Sequence, residues 1–83
     1  MNAIGEALAR YIATAILKQP QRVITDTEPL ISGGLIDSFH LVDLALFVEE
    51  NFGVRLEDTE LNAAAFDSLA QLVELIRARQ ARN

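Results

Sequence analysis

Apolar residues recur along much of this chain at three- and four-residue steps, the period of a helix that buries one face. Near the N-terminus Ile4, Leu8, Tyr11, Ile12 and then Ala15 or Ile16 keep that period, predicting an amphipathic first helix over residues 2–18 with Asn2 as its cap. Pro20 stops it, because proline lacks the amide donor and drives the residue before it away from α geometry. From Gln19 to Gly34 the period is lost among Thr, Asp, Pro and Gly, yet Val23, Ile24, Leu30 and Ile31 are apolar. The expectation is a long loop pinned to the core at those points, since loops of this length in compact domains are functional or disordered and the apolar anchors argue against disorder.

The helical period resumes at Ser38. On a wheel of 100° per residue, Leu41, Leu44, Ala45, Val48 and Phe52 fall within a sector of roughly 100°, the core face of a second helix over about residues 38–51. Gly53 suits the left-handed position that ends it. A second apolar line remains: Phe39, Val42 and Leu46, with Asp43, Glu49 and Glu50 set among and beside them. A helix that only packs on a small core has no use for an exposed Phe and Leu ringed by carboxylates, so these six residues read as a partner-docking surface. A bundle that buries this helix on a second side would hide them instead. Farther on, Glu57, Asp58 and Glu60 put acids at the start of a short third helix running to about residue 65. Asp67 or Ser68 then caps a fourth, with Ser68 and Gln71 matching a capping box. Leu69, Leu72, Val73 and Ile76 face inward, and Arg77, Arg79 and Arg82 complement the dipole at its end, with fraying beyond about Arg79.

Composition narrows the class. With 83 residues, 51% of them hydrophobic, there is room for one domain, residues 1–83, and one small core. Four glycines and two prolines leave the helical patterns mostly unbroken, so the expected fold is all-α: three main helices, one short helix and a long first loop. There is no cysteine, so neither a disulfide nor a thiolate is native to the chain. No apolar run approaches the ~18 residues of a membrane span, and the expected setting is cytoplasmic. The net charge of −5 conceals a division: between Asp26 and Asp67 ten acids face one base, Arg55, whereas the flanks carry six bases against Glu6 and Glu74. Phosphate backbones bind clustered bases, so nucleic acid is not an expected partner, and basic protein patches are the natural complement.

Between the loop and the second helix lies Gly33 Gly34 Leu35 Ile36 Asp37 Ser38 Phe39. Two glycines free the backbone just before two residues that both suit an N-cap, which puts the Ser38 hydroxyl at a helix mouth, where the dipole favours an anionic group. These residues, and the order and spacing of the segments around them, resemble an acyl carrier protein. Members of that family carry Gly, one or two apolar residues, Asp, Ser and an apolar residue. The resemblance implies a four-helix bundle of acyl-carrier type, a 4'-phosphopantetheine arm attached covalently to Ser38 with Asp37 as flanking motif residue, and a second helix that partners recognise. It implies acyl groups carried as thioesters in fatty-acid, lipid or polyketide-type biosynthesis, a phosphopantetheinyl transferase, a loading ligase or synthase and downstream acyl-transfer enzymes as partners, and a monomeric protein. Phe39 stands where the family most often has Leu, and His40 where many fatty-acid carriers have an acid, which favours a specialised discrete carrier. An aminoacyl or D-alanyl carrier stays open, as does an unmodified acidic module that binds basic partners.

Asp67 Ser68 Leu69 also contains Asp-Ser followed by an apolar residue, but three alanines and Phe66 precede it and Glu74 is the one acid of the helix that follows, so Ser68 reads as a cap. No catalytic site is expected. Ser38, His40 and Asp43 look like a triad, but two residues along a helix are about 200° apart, beyond the reach of a base. No metal site is expected either: Glu57, Asp58 and Glu60 lack a glycine-containing loop of Ca²⁺-site spacing. Finally, Ala45, Ala63, Ala64 and Ala65 predict spare volume in which a hydrophobic cargo could lie between the second helix and its neighbours.

Overall fold

The first helix, α1, spans Ala3–Tyr11 and buries Gly5 and Leu8; the computed structural model describes residues 3–82, and Asn2, the expected cap, lies outside them. The helix does not simply run on to Lys18. Over Ile12–Ile16 it widens into a π-helical turn in which the Leu17 amide donates to Ile12 O at 2.9 Å, five residues back. Each residue of a wider turn advances by less than 100°, which rotates Ala15 out to solvent and brings Ile16 into the core. The period alone left those two undecided; the π turn decides between them. Lys18 then takes a left-handed φ of 57° and the helical run is over, two residues before Pro20.

The long connection is anchored, though not at all four expected points. Ile24 and Leu30 are buried and Ile31 is half-buried, but Val23 is 78% exposed and anchors nothing. Ile36, at the loop's end, takes the missing place in the core. Polar ties do the rest: Arg22 and Glu28 pair at 2.6 Å, and the Ala70 amide donates to Asp26 O at 3.0 Å.

Helix α2, Ser38–Phe52, turns Leu41, Leu44 and Val48 inward, with Ala45 and Phe52 half-buried beside them, and ends at Gly53 with φ 69°. Gly53 donates back to Glu49 O at 3.0 Å. The expected short third helix is reduced to a single 3-10 turn, Asp58–Glu60. Leu61 leaves helical geometry at ψ 62°, and Asn62 then turns the chain a second time by accepting the Ala65 amide on its side chain at 3.0 Å. Ala63, Ala64 and Ala65 are exposed, so this segment has no apolar face to bury and nothing to stabilise a longer helix. They lie outside the core and open no space within it.

Helix α3, Leu69–Ala81, presents Leu69, Leu72, Val73 and Ile76 to the core and continues past Arg79, where fraying was expected. Arg79 helps to hold these two further residues. Its guanidinium pairs with Glu60 and donates to Arg55 O at 3.3 Å, tying the end of α3 to the second connection. The Glu57 amide and Arg79 together hold the Glu60 carboxyl below the usual carboxylate range.

One core joins all of this. Leu8, Ile12 and Ile16 meet Leu44 and Val48 of α2, Leu72 and Ile76 of α3, and Leu30, Ile36, Val54 and Phe66 from the connections. Among the described residues no polar or charged side chain is buried. The radius of gyration, 11.6 Å, is that of a packed chain of this length, about 12 Å. The described residues thus form an all-helical small bundle of three helices and one 3-10 turn, with no strand. No helix among them is long and apolar enough to cross a membrane.

Candidate functional site

The site is built at the junction of loop and α2. The two glycines that lead into it act differently. Gly34 has φ 81°, open to glycine at little cost, whereas Gly33 is required by space, because a Cβ there would lie 2.3 Å from Pro29 O. Asp37, extended at φ −91° and ψ 178°, is the N-cap of α2, accepting the His40 amide on Oδ1 at 2.9 Å. The His40 ring stays at the same carboxylate, Nδ1 lying 3.0 Å from Oδ1. The His40 amide, with the ring and the Phe39 amide adding to it, holds the Asp37 carboxyl below the usual carboxylate range.

With Asp37 as cap, Ser38 becomes the first residue of the helix. It is exposed, and no group among the described residues hydrogen-bonds its hydroxyl. The hydroxyl therefore stands in solvent beside the first amides of a helix of 15 residues, where the dipole is positive. An anionic group esterified there would face the positive end of the helix dipole, with the Asp37 carboxylate as its neighbour.

The second apolar line of α2 is on the outside. Phe39 is 82% exposed, Leu46 55% and Val42 53%, so the helix is not buried on a second side. Asp43, Glu49 and Glu50 are exposed around them. On the wheel the six residues occupy roughly 120°, with Glu49 on one edge and Asp43 and Glu50 on the other. That second edge abuts α1. Tyr11 stacks on Phe47 with ring centroids 4.2 Å apart, and burial, reinforced by the charges of Asp43 and Glu50, raises its hydroxyl above the usual phenol value. A surface groove of about 450 Å³ opens beside this stack between Glu6, Arg10 and Phe47. Helical periodicity placed Tyr11 inward but contained no sign of the stack, which joins two segments 36 positions apart.

The second Asp-Ser pair is arranged the other way round. Ser68 is the cap of α3, its hydroxyl oxygen accepting the Gln71 amide at 3.3 Å. Gln71 Oε1 answers by accepting the amide of Asp67 at 2.7 Å, one residue earlier than a standard capping box. Asp67 does not cap α3. Its Oδ1 accepts the Ile31 and Ser32 amides at 2.7 and 2.9 Å, and its Oδ2 accepts the Ser32 hydroxyl. The Ser32 hydroxyl, then the Ser32 and Ile31 amides, keep the Asp67 carboxyl below the usual carboxylate range. Sequence reasoning considered Asp67 only as a cap, because nothing in local spacing announces a bond to a loop 35 residues away.

Among the described residues no three His, Cys, Asp or Glu side chains gather as they would around a metal ion. The chain matches no model of a known protein family and no curated protein.

Proposed function

We propose that this protein is a carrier of the acyl-carrier type, a bundle whose third helix has shrunk to a turn, and that Ser38 accepts a 4'-phosphopantetheine arm from coenzyme A through a transferase. The observation that carries the reading is the state of Ser38: exposed, unbonded and first in its helix, with Phe39, Val42 and Leu46 exposed along the same helix. The Ser38 oxygen attacks the pyrophosphate of coenzyme A, a phosphodiester to the arm forms, and the nucleotide bisphosphate leaves with the broken bond. Bound there, the arm supplies the thiol that a chain without cysteine lacks. Ser38 and the first turn of α2 hold the phosphate end. Phe39, Val42 and Leu46 offer apolar contact to a partner enzyme, and Asp43, Glu49 and Glu50 orient basic groups around it.

Intact mass after incubation with coenzyme A and a broad-specificity phosphopantetheinyl transferase tests the reading. A gain of one arm, mapped to Ser38, supports it; an unchanged mass rejects it in favour of an unmodified acidic module.

A further inference from the structure

The loop that delivers Ser38 is closed on itself and then fastened to a distant part of the chain. The Ile36 amide donates to Leu30 O at 3.0 Å and the Gly34 amide to Ile31 O at 3.1 Å, so residues 30–36 form a lobe. The amides of Ile31 and Ser32 take their acceptor from outside it. Both donate to Asp67 Oδ1, the Ser32 hydroxyl donates to Oδ2, and the Leu30 amide donates to Asp67 O at 2.7 Å, so four bonds from the lobe converge on one residue. The chain leaves the lobe through Ile36, 2% exposed, and the next residue is the cap of α2. An unbroken series of fixed groups therefore runs from Asp67 to the helix mouth at Ser38. Helix α3 does not use the Asp67 carboxylate, because the Ser68 hydroxyl caps it.

We infer that Asp67 is a positioning residue for Ser38: its carboxylate holds the 30–36 lobe so that the Asp37–Ser38 turn is presented to the modifying enzyme in one geometry. The inference rests on the carrier reading above. An enzyme that recognises a serine through the backbone around it binds only molecules whose loop is in place. Loss of the anchor lowers that fraction, and the apparent affinity falls in proportion. Once a competent molecule is bound, the chemistry at Ser38 is unaltered. The signature is a raised KM for the carrier with kcat held, together with quickened exchange confined to the lobe and the first turn of α2 in a protein of unchanged helicity, which a fraction of unfolded carrier would not produce.

The test compares wild type, Asp67→Ala, Asp67→Asn and Ser32→Ala in transferase kinetics with coenzyme A, alongside amide hydrogen exchange on the unmodified proteins. Asp67→Ala is expected to raise KM about tenfold, the result of a competent fraction near one tenth, with kcat within about twofold. Asp67→Asn keeps an acceptor oxygen for the two amides and brings KM most of the way back. Exchange in Asp67→Ala quickens at Ile31, Ser32, Ile36 and His40. If that variant loses helicity, Ser32→Ala, which removes one bond of the four, carries the same comparison with a smaller rise. An unchanged KM, a fall in kcat instead, an Asn variant no better than Ala, or unchanged exchange at Ile36 and His40 each overturns the inference. If wild type itself takes no arm, the proposed function fails, and exchange at Ile36 and His40 alone then decides whether Asp67 fixes the turn.

Discussion

The dipeptide Asp-Ser occurs twice, each time at the start of a helix, and the two copies divide the work in opposite ways. At α2 the aspartate caps and the serine is left free in solvent. At α3 the serine caps and the aspartate is left free to reach across to the loop. A shift of one residue in where the helix begins thus converts a hydroxyl from a structural acceptor into a free group in solvent. The shift follows from what each aspartate meets: a buried residue, Ile36 or Phe66, precedes both pairs, but the Asp37 carboxylate takes the His40 amide, whereas Asp67 is already committed to Ile31 and Ser32 across the molecule.

The largest expected effect separates the two serines outright. Ser38→Ala should abolish the mass gain with coenzyme A and transferase, while Ser68→Ala and Ser32→Ala still reach full modification at long incubation. Modification retained in Ser38→Ala would falsify the assignment of the site.

Next in size is the effect of charge beside the free serine. Asp43→Lys or Glu50→Lys should slow acyl transfer to a partner enzyme by on the order of tenfold at low salt, because oriented charge mainly speeds encounter. Raising salt should slow wild type in the same direction and shrink the difference. Rates indifferent to both changes would remove the electrostatic part of the docking surface. Matching reversals on α3, such as Glu74→Lys, should leave transfer alone.

A smaller effect exchanges the roles again. Ser68→Ala removes a cap and should cost ~1 kcal/mol in urea denaturation, or about 4–8 °C in melting temperature. Ser38→Ala removes no cap and should fall within a few tenths of a kcal/mol of wild type. Asp37→Ala should destabilise in the same sense as Ser68→Ala. Equal losses from Ser38→Ala and Ser68→Ala would mean that the caps are not distributed as described.

Acid should act on the aspartates of both pairs. Asp37, Asp67 and Glu60 have carboxyls held below their usual values in the folded protein. The unfolded chain therefore takes up protons first, so the stability they contribute is present in full above the ordinary carboxylate values of 3.8 and 4.5 and is lost as pH falls towards the lowered ones. Urea midpoints should be flat from pH 7 to 5 and decline below about 4. Asp67→Asn should show a shallower decline than wild type, and a parallel decline would take Asp67 out of the explanation.

Much of the frame was legible because it depends on local period. Leu41, Leu44 and Val48 announce the buried face of α2 by spacing alone, and the exposure of Phe39, Val42 and Leu46 follows from the same wheel. The helix end at Gly53 is a property of one residue's allowed φ. What escaped depends on contacts between segments or on competition between neighbours. Two adjacent residues could cap either helix, and the choice turns on whether the aspartate is engaged elsewhere, as Asp67 is by Ile31 and Ser32. The short helix expected after Glu57 fails because its alanines find no surface to cover, which composition does not reveal. Val23 looked like an anchor because it is apolar, but its neighbour Ile24 takes the buried place and an extended chain cannot turn both the same way.

The π turn at Ile12–Ile16 has a consequence for chain length. Within it the chain contains one residue more than an α-helix needs to reach the same point, and the surplus shows on the exposed side at Thr14, whose hydroxyl merely returns to Arg10 O at 2.7 Å. Removing Thr14 would let α1 close into an unbroken α-helix with Ile12 and Ile16 still about 60° apart on its inner face and Ala15 still outside. The segment is a length buffer, a place where the molecule can lose a residue and keep its core in register.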